Sequence, residues 1–134
     1  MALAIGTPAP RFKLPCKPRE DVDVGSAIGR EKVVLLFFPL AFSSVCTAEM
    51  CHFRDNWSEW SQLGCKVFGI SIDSPFVVDK FRRDNEIPFP ILSDFNKSVA
   101  ASYDALYAEY FGMKGVTKRA AFVIGTDGLI RYSW

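Results

Sequence analysis

The sequence predicts an α/β fold in which helices cover a central, mixed β-sheet. Short apolar runs alternate with segments of helical spacing, and the chain closes on a hairpin. At 134 residues, 49% of them hydrophobic, it is long enough to bury a sizeable core. We therefore expect a single domain over residues 1–134. Because the chain stops inside its last predicted strand, we also expect this domain to lack C-terminal elements.

Charge and hydropathy exclude two large classes of function. Sixteen Lys and Arg residues against fifteen Asp and Glu give a net charge of +1, with no block of like charge. A nucleic-acid or anionic-membrane partner would require a basic patch, so neither is expected. We find no signal peptide in the first residues and no apolar run of membrane-spanning length. The expected location is the cytoplasm.

The predicted elements follow from local signals along the chain. Four prolines in residues 1–32 indicate an extended arm with a short hairpin near 12–14 and 22–24, and Cys16 is expected in an exposed turn. The apolar run 33–38 is typical of a central strand buried on both faces. Helix-start residues after it predict a helix over 47–62. The other predicted elements are strands at 67–72, 91–92, 120–124 and 129–134, helices at 76–85 and 97–106, and a loop at 107–117.

Cys46 lies between the first buried strand and the helix that follows it. A cysteine at a helix N-terminus is close to unpaired N–H groups and to the positive end of the helix dipole, which stabilise a thiolate. The four cysteines show no zinc-ligand spacing, and a chain with a full core has no need of a disulfide scaffold. Redox or nucleophilic cysteine chemistry is the remaining interpretation.

The residues around Cys46 resemble the peroxiredoxin signature. That signature has a proline, three residues, a threonine or serine, two residues and a cysteine, and here it reads PLAFSSVC, followed by Thr47 and Glu49. The opening Gly6, Ala9, Pro10, Phe12 and Leu14 and the late segment KRAAFVI with TDGLIRY are also similar to this family. The resemblance covers nearly the whole chain. It implies a thioredoxin-like fold.

The same resemblance implies a role for each of five residues. Cys46 corresponds to the peroxidatic cysteine, which attacks a peroxide and becomes a sulfenic acid. Ser43 stands where threonine is commoner and retains the hydroxyl. Arg119 would stabilise the thiolate and polarise the O–O bond, Glu49 would orient that arginine, and Pro39 would shield the site from water. No metal, haem or flavin cofactor is implied.

Cys51 decides the subtype that the resemblance implies. A second cysteine five residues after the first is similar to the bacterioferritin-comigratory-protein or Q-type branch, in which it resolves the sulfenic acid as an intramolecular disulfide. Five helical residues separate the two cysteines by about 7.5 Å along the axis, so the helix must unwind first. A buried structural role for Cys51 remains the alternative. Cys65 or Cys16 could also take its place as the resolving cysteine.

The implied function is a thiol peroxidase for hydrogen peroxide and small organic hydroperoxides. Its expected reductant is thioredoxin or a glutaredoxin-like protein, and its expected state is a monomer or a homodimer. A disulfide oxidoreductase would need a cysteine at position 49, where this chain has Glu49. A non-catalytic peroxide sensor or holdase using the same cysteine remains the alternative from a different class.

Overall fold

The computed structural model describes residues 3–110 and 112–133. These residues contain four helices, nine strands and a 3₁₀ turn at Val24–Ser26. The elements in chain order are β1 (Lys13–Lys17), β2 (Glu20–Asp23), β3 (Lys32–Phe37), α1 (Ser44–Asp55), α2 (Trp57–Gln62), β4 (Cys65–Ser71), α3 (Pro75–Asp84), β5 (Ile91–Ser93), α4 (Ser98–Ser102), β6 (Glu109–Tyr110), β7 (Met113–Lys114), β8 (Ala120–Ile124) and β9 (Ile130–Ser133).

A five-stranded mixed sheet forms the centre of the fold. Its strand order is β5, β4, β3, β8 and β9. Strands β3, β4 and β5 are parallel, whereas β8 pairs antiparallel with β3, and β9 antiparallel with β8. Strand β1 forms a separate hairpin with β2, as does β6 with β7. The predicted fold class, helices around a central mixed sheet, is confirmed.

Strand β3 is buried on both faces, as its apolar run predicts. Leu35 and Phe37 point into a cluster that contains Tyr103. Leu36 points to the opposite face and packs in the cluster that contains Met50 of α1. The five apolar side chains of β3, at positions 33–37, are all at most 4% exposed. Burying a large apolar side chain stabilises a fold by about 1.5–3 kcal/mol, so β3 anchors both layers.

The pairing of β3 with β8 brings two distant segments to one edge of the sheet. Because the strands are antiparallel, the end of β3 lies beside the start of β8, with Phe37 opposite Ala120. The loop that follows β3 therefore lies next to Arg119, which immediately precedes β8. This edge contains the candidate site.

The prediction of one continuous helix over 47–62 is wrong at two points. The helix starts earlier, because Ser43 is extended and its carbonyl accepts the N–H of Thr47, so α1 begins at Ser44. It is also interrupted at Asn56, where φ is −107° and ψ is 18°. The Asn56 amide donates to the carbonyl of His52. Asparagine side chains compete with the backbone in this way, and the competition favours helix ends.

The predicted helix over 97–106 is also too long. Only α4 is helical, and the backbone turns at Asp104, where φ is +53°. The Asp94 carboxylate accepts the N–H groups of Val99 and Ala100 at the start of α4. The predicted loop over 107–117 contains the short β6–β7 hairpin. Phe111 in that loop and Trp134 at the end of the last predicted strand lie outside the described residues.

Apart from β1, which ends three residues later than predicted, the other predicted elements are found to within two residues of their predicted ends, with Trp134 excepted. Cys16 is the local exception, because it lies inside β1 rather than in a turn. Within the described ranges, no helix is long and apolar enough to cross a membrane. The cytoplasmic location stays a prediction.

Candidate active site

Cys46 lies in the first turn of α1 and is fully buried. Its position follows from the loop after β3, which ends at the extended residue Ser43 and lets the helix begin at Ser44. The first N–H groups of a helix have no partner within the helix, and together with the helix dipole they favour negative charge. The Cys46 sulfur therefore occupies a position suited to a thiolate.

Arg119 provides the positive charge at this sulfur. Its Nη2 donates to Cys46 Sγ at 3.3 Å, and its Nη1 donates to Glu49 Oε2 at 3.4 Å. Burial lowers the pKa of Arg119, but the bonds and charges of Cys46 and Glu49 outweigh it and raise the pKa overall. The guanidinium is therefore held in its charged form between a sulfur and a carboxylate.

Glu49 fixes one side of that guanidinium. It lies three residues after Cys46 and hence on the same face of α1. The Glu49 and Arg119 side chains are each 23% exposed, which makes their ion pair partly desolvated. Burial raises the pKa of Glu49, and Arg119 only partly offsets this. Glu49 consequently takes up a proton at higher pH than an ordinary glutamate does.

Pro39 and Ser43 lie at the two ends of the loop before α1. Pro39 is buried and lies two residues after the end of β3. The Ser43 hydroxyl donates to the carbonyl of Leu40 at 2.9 Å, so its proton is directed into the loop rather than towards Cys46. The Ser43 carbonyl accepts from both the backbone and the hydroxyl of Thr47. In this arrangement Ser43 shapes the helix start.

Cys51 lies on the same uninterrupted helix as Cys46 and is half-buried. Its Sγ is 3.7 Å from Oδ1 of Asn85, the C-cap residue that follows α3. All four cysteines are free thiols. An intact helix keeps residues 46 and 51 about 7.5 Å apart along its axis, beyond the reach of a disulfide. The structure therefore describes the reduced protein, with Cys51 held against α3.

The other cysteines and the single histidine lie elsewhere. Cys16 in β1 donates to the Glu20 carboxylate at 3.2 Å; burial and that carboxylate raise the pKa of its thiol. Cys65 begins β4, and His52 is exposed and stacks edge-on against Phe53. No three His, Cys, Asp or Glu side chains in residues 3–110 and 112–133 are grouped to hold a metal ion.

Sequence reasoning missed Asp73, which contacts the loop before α1. Its neighbour Ser74 is the residue that caps α3. The Asp73 carboxylate instead accepts the backbone N–H of Ala41 at 2.7 Å. The available signal was its place directly after a parallel strand, because the carboxyl ends of neighbouring parallel strands share one edge of a sheet.

A family model described as the AhpC/TSA family matches residues 5–133, which is nearly the whole chain and includes every residue of the site. The chain belongs to the AhpC/TSA family. It is 36% identical over 137 residues to the Coxiella burnetii protein named "Putative peroxiredoxin bcp", covering all of this chain and 89% of that protein.

Two solved structures share the fold. The crystal structure of peroxidoxin BcpB from Mycobacterium tuberculosis is 30% identical, with a TM-score of 0.88 over 98% of this chain and 85% of that one. The bacterioferritin comigratory protein of Xanthomonas campestris is 22% identical, with a TM-score of 0.81 over 92% of this chain and 79% of that one. The thioredoxin-like fold and the resemblance to the bacterioferritin-comigratory-protein branch are confirmed. Peroxiredoxins are thiol peroxidases, so this chain is an enzyme that reduces peroxides by means of a thiol.

Proposed function

We propose that Cys46 is the peroxidatic cysteine of a Q-type thiol peroxidase, carried by one domain over residues 1–134, and that Cys51 resolves its sulfenic acid. The observation that carries this proposal is the 3.3 Å contact between Arg119 Nη2 and Cys46 Sγ. A buried thiol at a helix start, beside a cation that Glu49 holds in place, is an activated nucleophile.

In the first step the Cys46 thiolate attacks one peroxide oxygen. An S–O bond forms and the O–O bond breaks, so sulfur is oxidised by two electrons and the peroxide is reduced to an alkoxide or hydroxide that takes up a proton. Negative charge moves from sulfur towards the leaving oxygen. Arg119, already pointing at the sulfur, is placed to stabilise that charge more in the transition state than in the ground state.

In the second step the Cys51 thiol attacks the Cys46 sulfenic acid. A disulfide forms and water leaves. This step requires α1 to unwind and Cys51 to release Asn85, because the intact helix holds the two sulfurs apart. A dithiol protein, either thioredoxin or a glutaredoxin-like protein, then reduces the exposed disulfide to two thiols.

The substrates we propose are hydrogen peroxide and small organic hydroperoxides. Phe42 is 50% exposed and Val45 is 62% exposed, and both precede Cys46 in the chain by at most four residues. These side chains offer an apolar rim that an alkyl group could contact. They are also available to a second copy of the chain, so we expect a monomer or a homodimer.

Stopped-flow oxidation of the reduced protein by hydrogen peroxide tests the first step. We expect one thiol to be lost far faster than free cysteine reacts, and the reaction to vanish in Cys46→Ser. The matched control is Cys65→Ser, which should react at the wild-type rate. A wild-type rate equal to that of free cysteine would remove the proposal. Fast oxidation without turnover on thioredoxin would favour the sensor or holdase.

Intact-mass measurement after one equivalent of peroxide tests the second step. The wild-type chain should lose two hydrogens as the disulfide forms, whereas Cys51→Ala should stop at the sulfenic acid and gain one oxygen. Cys16→Ser and Cys65→Ser serve as controls that should still form the disulfide. A disulfide that persists in Cys51→Ala would assign resolution to another cysteine.

A further inference from the structure

Asp73 has no role in the proposed reaction steps, but its carboxylate reaches the loop before Cys46. Its Oδ2 accepts the backbone N–H of Ala41 at 2.7 Å and the hydroxyl of Ser71 at 2.8 Å. Hydrogen bonds to a carboxylate are shorter and stronger than those between neutral groups. The bond to Ala41 joins segments that are 32 residues apart in the chain.

Neighbouring side chains hold Asp73 itself in place. The Ser71 hydroxyl also accepts the Asp73 N–H at 3.3 Å, and the Ser93 hydroxyl donates to the Asp73 carbonyl at 2.5 Å. Ser71 and Ser93 end the parallel strands β4 and β5 and are at most 2% exposed. Asp73 is therefore fixed to the ends of two core strands rather than free to follow the loop.

The loop that Asp73 holds contains an unfavourable backbone conformation. Phe42, directly after Ala41, has a φ of +67°, a left-handed conformation that bulky side chains rarely adopt. Its ring packs edge-on against Phe81 of α3, with centroids 5.3 Å apart. Such conformations persist only where the surroundings impose them. The hydrogen bond between the Asp73 carboxylate and Ala41, the residue before Phe42, is one such constraint.

We propose that Asp73 is a positioning residue for the peroxide reaction, because its carboxylate fixes the loop that delivers Cys46 to Arg119. The inference rests on the function proposed above and adds a residue that touches neither sulfur nor peroxide. Ala41 precedes Ser43 by two residues, and Ser43 is the residue directly before the helix that carries Cys46. Releasing the Ala41 N–H would let the loop relax and move the sulfur away from the guanidinium.

The test compares the peroxide oxidation rate of four proteins. Asp73→Ala should react about tenfold to a hundredfold more slowly, the loss expected for a misplacement of about 1 Å. Asp73→Asn should restore most of the rate, since its carboxamide oxygen can accept the same two hydrogen bonds. Ser74→Ala removes the neighbouring cap of α3 without touching Ala41, so it should react at the wild-type rate even if it is less stable.

Amide hydrogen exchange at Ala41 gives a second readout that needs no peroxide. Exchange there should be fast in Asp73→Ala and slow again in Asp73→Asn. If Asp73→Ala does not fold, Ser71→Ala takes its place, with about a threefold slower oxidation expected because one of the two carboxylate bonds is lost. If the wild type is oxidised fast and Asp73→Ala (or Ser71→Ala in its place) is oxidised equally fast, this inference alone is overturned. A wild type no faster than free cysteine overturns the proposed function with it.

Discussion

The two halves of helix α1 hold their cysteines in opposite ways. Cys46 in the first turn is fully buried and receives a charged hydrogen bond from Arg119 at 3.3 Å. The preceding loop carries a left-handed Phe42, a conformation that costs of the order of 1–3 kcal/mol and that the fold maintains. The first half of the helix is thus constrained around the sulfur, as a reaction that depends on fixed charges requires.

The second half of α1 contacts the end of α3. Cys51 is half-buried and lies 3.7 Å from Asn85, and Arg54 donates to the Asn85 carbonyl at 2.7 Å. Both contacts reach the single C-cap residue that follows α3. The Cys46 sulfur is therefore fixed by a cation from across the sheet, whereas the Cys51 sulfur contacts only the end of a neighbouring helix. Substitutions in the first half should therefore affect peroxide oxidation, and substitutions in the second half should affect disulfide formation.

The largest effect is expected from removing the cation of the first half. Arg119→Met loses both guanidinium bonds while keeping an apolar stem, and the rate of peroxide oxidation should fall about 100- to 1000-fold. Stopped-flow measurement of Cys46 oxidation gives the value. Arg131→Met, which loses only an exposed pair with Asp127, is the control and should stay within about twofold. A drop of less than tenfold in Arg119→Met would show that the helix start alone activates the sulfur.

A smaller effect is expected from neutralising Glu49. Glu49→Gln keeps an oxygen near Arg119 but loses the ion pair, and we expect about a tenfold slower oxidation. The exposed Glu59→Gln on α2 is the matched control.

The pH dependence of the oxidation rate gives a second test of Glu49. The pKa of Glu49 is raised, chiefly by burial, above the ordinary glutamate value of 4.5. The ion pair and its contribution to the rate are present above that raised pKa and are lost as the pH falls through it. Wild-type oxidation should therefore decline at a higher pH than an ordinary glutamate would dictate. The same decline in Glu49→Gln would assign it to another group.

The smallest effect is expected in the second half of the helix. Arg54→Met removes the bond to the Asn85 carbonyl, so α1 should open more readily and the disulfide should form roughly threefold faster after oxidation. The first, peroxide-dependent phase should not change. Arg83→Met, which loses an exposed pair with Asp79 on α3, is the control. A slower second phase would mean that Arg54 helps to bring the cysteines together.

Local signals sufficed for most of the fold. The buried strands and the helix over 76–85 follow from local signals in the sequence, since each signal lies within a few residues of the element it sets. The early start of α1 and its interruption at Asn56 were missed. They depend on how Ser43 and Asn56 bond to the backbone, and a periodic pattern does not encode that choice.

The candidate site divides in the same way. The spacing of Cys46, Glu49 and Cys51 on one helix is local and could be read directly. Arg119 was identified only through the family resemblance, because its approach to Cys46 depends on the pairing of Phe37 with Ala120. Asp73 was missed because its contact with Ala41 spans two separate loops. Long-range contacts of this kind require knowledge of the strand order.

The interruption at Asn56 limits how far an opening of α1 can spread. The ring of Trp57, which follows it, packs against Phe89 with centroids 5.5 Å apart and remains bound to the sheet layer through α2. An opening of the second half of α1 can therefore stop at Asn56 while the rest of the fold stays intact. Disulfide formation would then require only local unfolding of the helix, and the protein would not approach global unfolding in each catalytic cycle.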